Sequence, residues 1–316
     1  MLPGGVQTSV LYASERSPFF PGFEKFRHEA IERYSQGGLA WVYVGHGNVT
    51  ELDRVPSGPA GVPILSIADV DGLRAPPQSP PLAVMLACYT GAFDARSDCI
   101  AESMVMADGG PVAAIAGTRV TMPYGNASLA AAMMDAWFQD QVSRLGDILA
   151  QSRRRLMMVD DSRRPKLLES MAGLLSPNAD QLSLERREHA FLYNLLGDPT
   201  MTLCHAEPLT LKGPSRAAPG EQLEIVVTGM KPGQLSLELC LPLGKVRRVA
   251  QGAQADDATI LDRCLLDATD QPCTVKLNVP VGVSGDCIVR GFCSSKQSCG
   301  IGAMQIRVIP TVDSIH

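Results

Sequence analysis

Three short runs, LAWVYVG (39–45), LAVMLAC (82–88) and VAAIAG (112–117), carry no charged residue and scarcely a polar one. Apolar runs of this length, without alternation, are strands buried on both faces, the condition of a parallel sheet covered by helices on either side. The segments between them suit that arrangement. Phe23, Phe26, Ala30, Ile31 and Tyr34 recur at helical spacing, and Gln36, Gly37 and Gly38 end that helix. A second helix is predicted to start near Asp98, placed to cap it, and to run through Ile100, Met104 and Val105. Further helical patterns cover 127–145, 146–158, 165–175 and 183–196, while VQTSVLY (6–12) reads as a short strand. The proline-rich stretches 56–63 and 75–81 read as surface loops. Strands alternating with helices in this way predict an α/β layer fold.

After Cys204 the texture changes. LTLKGPSRAAPGEQLEIVVTGMKPGQLSLELCL, and later TVKLNVP and MQIRVIP, alternate short β-rich runs with proline and glycine turns. That pattern predicts a small β-sandwich of immunoglobulin type. A chain of 316 residues can bury two cores, and the expected domains are 1–204 and 205–316.

Composition narrows the function. A net charge of -5 gives no general attraction to nucleic acid or anionic lipid. The arginines at 153–155, 163 and 164 are read as a solvated helix face. No apolar stretch approaches the roughly 18 residues of a membrane helix, so no membrane span is expected. MLPGGVQTSV lacks the basic start and apolar core of a secretory signal. Against that, six of the nine cysteines (Cys240, Cys264, Cys273, Cys287, Cys293 and Cys299) crowd the β-rich part, which suggests disulfides and an exported protein. The compartment stays open between these two signals. No Cys-x-x-Cys pair suggests zinc, and neither a metal nor a cofactor is expected.

Two strand ends carry the chemistry. One predicted strand ends in Gly45-His46-Gly47 and the next in Ala87-Cys88-Tyr89. Adjacent parallel strands deliver their C-terminal ends to one edge, where α/β folds build their sites. A thiolate is a nucleophile, and a nearby imidazole can hold its charge or move its proton. The flanking glycines allow a close backbone approach, and the amides of Gly47 and Cys88 are the natural oxyanion donors. The separation of His46 from Cys88 is close to the approximately 50 residues between the caspase histidine and cysteine. Glu51 and Asp53 could orient the imidazole, though two acids in a surface loop are common; Asp94 has the same status. His28 and His189 are read as partly exposed helix residues, and His205 as a linker residue beside Cys204. Gly45-x-Gly47 is too small a fragment for a dinucleotide turn. Neither a Gly-x-Ser-x-Gly elbow nor a phosphate loop is present.

WVYVGHGNVTELDRV, LACYTGAFD, CIAESMVMADGGPVAAIAGTRVTMPYG and LGDPTM together resemble the gingipain family, a branch of the caspase-like cysteine peptidases, over most of residues 20–203. The resemblance implies a caspase-like three-layer sandwich with a mainly parallel sheet, followed by an immunoglobulin-like domain. It implies that His46 and Cys88 form a catalytic dyad, with Thr118 and Arg119 near the substrate-side-chain pocket. Caspase-like domains begin with a further strand and helix, so the resemblance also implies an N-terminally incomplete domain. The expected function is a cysteine-type endopeptidase that cleaves protein or peptide substrates through a thioester. The alternative is a catalytically inactive caspase-like scaffold or binding protein, favoured by the missing strand and opposed by the retained His-Cys pair.

Overall fold

The computed structural model describes residues 2–158, 163–176, 178–242, 245, 259–295 and 298–309. The chain divides into two compact units, residues 11–203 and residues 2–10 with 204–316.

In the first unit, helix α1 (Phe23–Ser35) precedes strand β1 (Ala40–Val44), and a small hairpin of β2 (Arg54–Val55) and β3 (Val62–Pro63) follows. Helix α2 (Ile67–Val70), β4 (Leu82–Leu86), α3 (Ile100–Met106) and β5 (Ala113–Gly117) complete the strand-rich half. Then come α4 (Pro123–Met134), a π-helical turn over Asp135–Gln139, α5 (Leu145–Met157), α6 (Arg163–Leu175), α7 (Leu182–Leu192) and β6 (Tyr193–Leu196). The sheet order is β1-β4-β5-β6, with the first three strands parallel and β6 antiparallel to β5.

Alternate strand residues face opposite ways, and each face meets its own helices. Ala83, Met85, Ala87, Ala114 and Ala116 pack in one core with Phe26, Tyr34, Leu73, Ile100 and Met104. Leu82, Val84, Leu86, Ala113 and Ile115 pack in the other with Leu129, Met133, Trp137, Ile148 and Tyr193. Helices α1 to α3 therefore cover one face, and α4, α5 and α7 the other. Small residues on the first face admit the helices closely. On the second, each fully buried Leu or Ile contributes about 1.5–3 kcal/mol.

Several expectations are corrected. β1 is not buried on both faces. It is the edge strand, with Val42 46% and Val44 68% exposed, because the second helical layer sits over β4, β5 and β6. Its covered face holds Trp41 and Tyr43, stacked with centroids 6.3 Å apart. The pattern over 183–196 is helical only to Leu192, because residues 193–196 pair with Ala114–Gly117 and tertiary pairing overrides helical period. The pattern over 127–145 starts earlier, with Pro123 in the first turn, and is broken by the π turn. Asp98 is not the cap of α3. Cys99 is, and its N–H donates to the Glu102 carboxylate at 2.8 Å. Residues 6–12 form no strand, and of the predicted 56–63 loop residues 56–61 join β2 to β3 while Val62 and Pro63 are β3 itself.

The arginine run is not simply solvated. Arg153 is half-buried and donates to the Tyr193 carbonyl and, at 3.0 Å, to Asn194 Oδ1, which ties α5 to β6. Arg155 pairs with Asp140 at 2.5 Å. The side chains of Arg163 and Arg164 lie outside the described residues.

The second unit is built of strands: β7 (Glu207–Pro208), β8 (Thr210–Lys212), β9 (Arg216–Ala217), β10 (Gln222–Thr228), β11 (Gly233–Cys240), β12 (Ile260–Ala268), β13 (Cys273–Asn278), β14 (Gly285–Ser294) and β15 (Cys299–Val308). One sheet has the order β13-β10-β8. The other runs β12-β11-β14-β15-β7, with β9 also on β15. Leu223, Ile225, Val275 and Leu277 of the first share one core with Leu235, Leu237, Val289 and Ile306 of the second. All nine cysteines are free thiols, against the expectation of disulfides. Cys240, Cys287 and Cys293 are buried, and free cysteine is at home as a small apolar side chain. Among the described residues, no helix is long and apolar enough to cross a membrane.

Candidate active site

The β1–β4 register ends at Val44 opposite Leu86. His46 and Cys88 each follow two residues after that last pair, beyond the ends of neighbouring parallel strands. Such strands lie about 4.8 Å apart. The ladder continues one step further, with Gly45 N–H donating to the Leu86 carbonyl at 3.4 Å.

The His46 loop is held by its backbone. The His46 carbonyl accepts from the Tyr43 hydroxyl at 2.7 Å and from the Asp53 N–H at 3.0 Å. Asn48 Oδ1 accepts from the amides of Thr50 (2.8 Å) and Glu51 (3.0 Å), an Asx turn that tightens the loop tip. Leu52 anchors it in the core at 1% exposure. Gly47 packs against the other strand end: a Cβ there would lie 2.7 Å from Thr90 Cγ2 and 3.1 Å from the Cys88 carbonyl oxygen. No larger residue fits without moving the loop. The His46 side chain itself is exposed.

Cys88 is half-buried at the start of a sharp turn. Tyr89 has φ 56°, the left-handed region that a non-glycine residue seldom enters. Its N–H donates to the Arg119 carbonyl at 3.2 Å, and Gly91 N–H to the Gly117 carbonyl at 2.8 Å, so the turn is fastened to the end of β5. The sulfur meets one residue of that segment. Thr121 N–H donates to Cys88 Sγ at 3.3 Å, with Thr121 Oγ1 at 3.7 Å and its carbonyl oxygen at 3.6 Å. Among the described residues, the backbone N–H groups of Gly47 and Cys88 donate to no backbone carbonyl.

The other sequence candidates are occupied elsewhere. Glu51 binds Arg54 through both oxygens at 2.8 Å, and that hydrogen-bonded guanidinium holds its carboxyl below the usual range. The Asp53 carboxylate accepts the Arg54 N–H at 2.8 Å. Thr118 is buried, and its hydroxyl donates to the Leu192 carbonyl at 2.9 Å. The exposed Arg119 pairs with Asp94 at 3.0 and 2.6 Å, and the guanidinium lowers the Asp94 carboxyl below its ordinary value. His28 is exposed, 3.7 Å from Glu32. Among the described residues, no group of three or more His, Cys, Asp or Glu side chains could hold a metal ion.

Sequence reasoning missed four residues around the thiol. Asn126 Nδ2 donates to Thr121 Oγ1 at 3.2 Å, and the Tyr193 hydroxyl donates to Asn126 Oδ1 at 2.6 Å, both residues being buried. His189 is also buried rather than partly exposed, at 1% exposure. Its Nε2 accepts the Met122 N–H at 2.8 Å, so the proton sits on Nδ1, which donates to the Glu185 carbonyl at 2.7 Å. A neutral imidazole is required there, and burial lowers its pKa from the ordinary 6.5. For Asn126 on α4 and His189 on α7 the sequence signal was a polar residue on a helix otherwise facing the core.

The family model for peptidase family C25 matches residues 3–204. No curated protein matches the chain. Among solved structures, the complex of Porphyromonas gingivalis RgpB pro- and mature domains is similar at 15% identity and a TM-score of 0.43, over 92% of this chain and 58% of that one. A structure described only as a protease is similar at 13% identity and a TM-score of 0.41, over 93% and 57%. The chain thus spans a little under three fifths of the length of these two proteins.

Proposed function

The chain belongs to peptidase family C25, the gingipain family, and on that premise we propose that it is a cysteine-type endopeptidase with His46 and Cys88 as its dyad. The observation that supports this reading is the β1–β4 register, whose last pair, Val44 and Leu86, lies two residues before His46 and Cys88 on neighbouring parallel strands. The Cys88 thiolate attacks the peptide carbonyl carbon and forms a C–S bond. The oxyanion is received by the Gly47 and Cys88 amides. As the C–N bond breaks, His46 gives its proton to the departing amine. Water then attacks the thioester, His46 takes its proton, and the C–S bond breaks to release the acid and restore the Cys88 thiolate beside protonated His46.

The rest of the organisation is part of the same proposal. Residues 1–204 constitute a caspase-like peptidase domain, supported over the 11–203 unit by a helical layer on each face of the sheet. Residues 205–316 constitute an immunoglobulin-like domain, supported by two sheets around one core. Thr118 and Arg119 border the substrate groove through their backbone, since their side chains are engaged by Leu192 and Asp94. Substrates are proteins or peptides.

The test is cleavage of a mixed peptide library by the wild type and by the Cys88→Ala and His46→Ala variants. Cleavage lost in both supports the dyad. Cleavage by Cys88→Ala at the wild-type rate sinks the dyad, and no cleavage by any of the three leaves the scaffold reading.

A further inference from the structure

The thiol is surrounded by a directed chain of hydrogen bonds that the dyad does not use. It runs from β6 through α4 to the segment after β5. Tyr193 is fully buried, and its hydroxyl donates to Asn126 Oδ1 at 2.6 Å. Burial raises the phenol far above its usual pKa, so that hydroxyl keeps its proton and stays a donor. With its oxygen fixed on Tyr193, the Asn126 amide must turn its NH2 the other way. That group donates to the Leu86 carbonyl at 3.4 Å and to Thr121 Oγ1 at 3.2 Å. A hydroxyl that accepts on one side has its own proton free for another acceptor; Cys88 Sγ stands 3.7 Å away, and the Tyr193 hydroxyl is a second partner of the Thr121 hydroxyl. The Thr121 N–H already donates to the same sulfur at 3.3 Å.

We propose that Thr121 holds the Cys88 sulfur as a thiolate through its N–H and its hydroxyl, and that Asn126 and Tyr193 are positioning residues that fix the direction of that hydroxyl. The inference rests on the reading of Cys88 as the nucleophile. Two donors converge on the sulfur, and hydrogen bonds to the charged form favour that form. The opposing group is the Thr121 carbonyl at 3.6 Å, which accepts the S–H proton of the neutral thiol. One acceptor offers the thiol a single weak bond, whereas the two donors grow stronger when the sulfur ionises. The other titratable groups around the turn are His46 beyond β1, Tyr89 beside the cysteine, Tyr193 on β6, and Arg119, whose charge is matched by Asp94.

The experiment is the pH dependence of Cys88 alkylation by iodoacetamide. It is followed by mass spectrometry of the peptide that contains Cys88, so the other eight thiols do not contribute. Thr121→Val keeps the shape and the N–H but removes the hydroxyl. It is expected to move the midpoint up by about one pH unit, a roughly tenfold loss of thiolate below the midpoint. Thr121→Ser should restore the wild-type midpoint, which a merely structural role would not require. Tyr193→Phe keeps the buried ring and frees the Asn126 amide, and should shift the midpoint the same way by less. It decides the question if Thr121→Val does not fold. An unchanged midpoint in either folded variant overturns the proposal. The readout does not depend on peptidase activity, so failure of the dyad reading would show separately as cleavage that survives Cys88→Ala.

Discussion

A Cβ placed on Gly47 would lie 3.1 Å from the Cys88 carbonyl oxygen, so the loop that carries His46 rests directly on the strand end that carries Cys88. The two halves of the proposed dyad are coupled through backbone before any side chain is considered. In Gly47→Ala the added methyl meets Thr90 Cγ2 nearer still, at 2.7 Å, so either that buried side chain or the His46 loop must shift. Misplacement of reacting groups by about 1 Å costs roughly 10²-fold in rate. The expected outcome is a loss of that order in kcat/KM, with the far-ultraviolet circular dichroism of the wild type retained.

Tyr43→Phe tests the lock behind His46. The hydroxyl donates to the His46 carbonyl at 2.7 Å and accepts from the Asp53 N–H at 3.1 Å. Its loss leaves partly buried groups less well paired, at a cost of about 1–3 kcal/mol. Urea denaturation should show a lower midpoint with an unchanged slope.

The same residue gives the alkaline limit of stability. Burial pushes the Tyr43 phenol up to about 12 from its ordinary 10.0. The fold binds this proton more tightly than the unfolded chain does. Its contribution is therefore complete below pH 10.0 and is lost as pH rises towards about 12. Tyr34 and Tyr193 are raised in the same direction by burial. The urea midpoint should fall steadily over this range, and less steeply in Tyr43→Phe.

His189 sets the acid limit. Its pKa is lowered in the fold, so between the folded and unfolded values the unfolded chain binds more protons, and the contribution present above pH 6.5 is lost as pH falls. Protonation would also take the Nε2 lone pair from the Met122 N–H, next to the residue that touches the Cys88 sulfur. Urea midpoints measured from pH 7 down to pH 5 should decline in the wild type and decline less in His189→Gln.

Much of this was legible in the residues. The apolar runs at 82–88 and 112–117 are buried parallel strands, because nothing in them could face water. The run at 39–45 has the same composition but lies at an edge. A strand's neighbours are set by topology, which its own residues do not encode. Gly45-His46-Gly47 could be read as a tight turn at a strand end, but that Gly47 packs on Thr90 and Cys88 follows only from the fold. The Thr121–Asn126–Tyr193 chain was not legible, because its members are separated in sequence and meet only after β6 turns back along β5. His189 falls on a helical pattern either way. Only the approach of Met122 distinguishes a buried acceptor from a surface residue. The cysteines misled by number, since several of them serve as small apolar residues in the β core.

The most direct test of the central claim is covalent capture by a peptide carrying a thiol-reactive electrophile, read by mass spectrometry in the wild type and in His46→Ala. The account predicts modification at Cys88 ahead of every other thiol, slowed at least tenfold when His46 is removed, in line with the usual worth of a positioned acid–base group. Modification spread evenly over the exposed cysteines, or capture at Cys88 that is indifferent to His46, would contradict it.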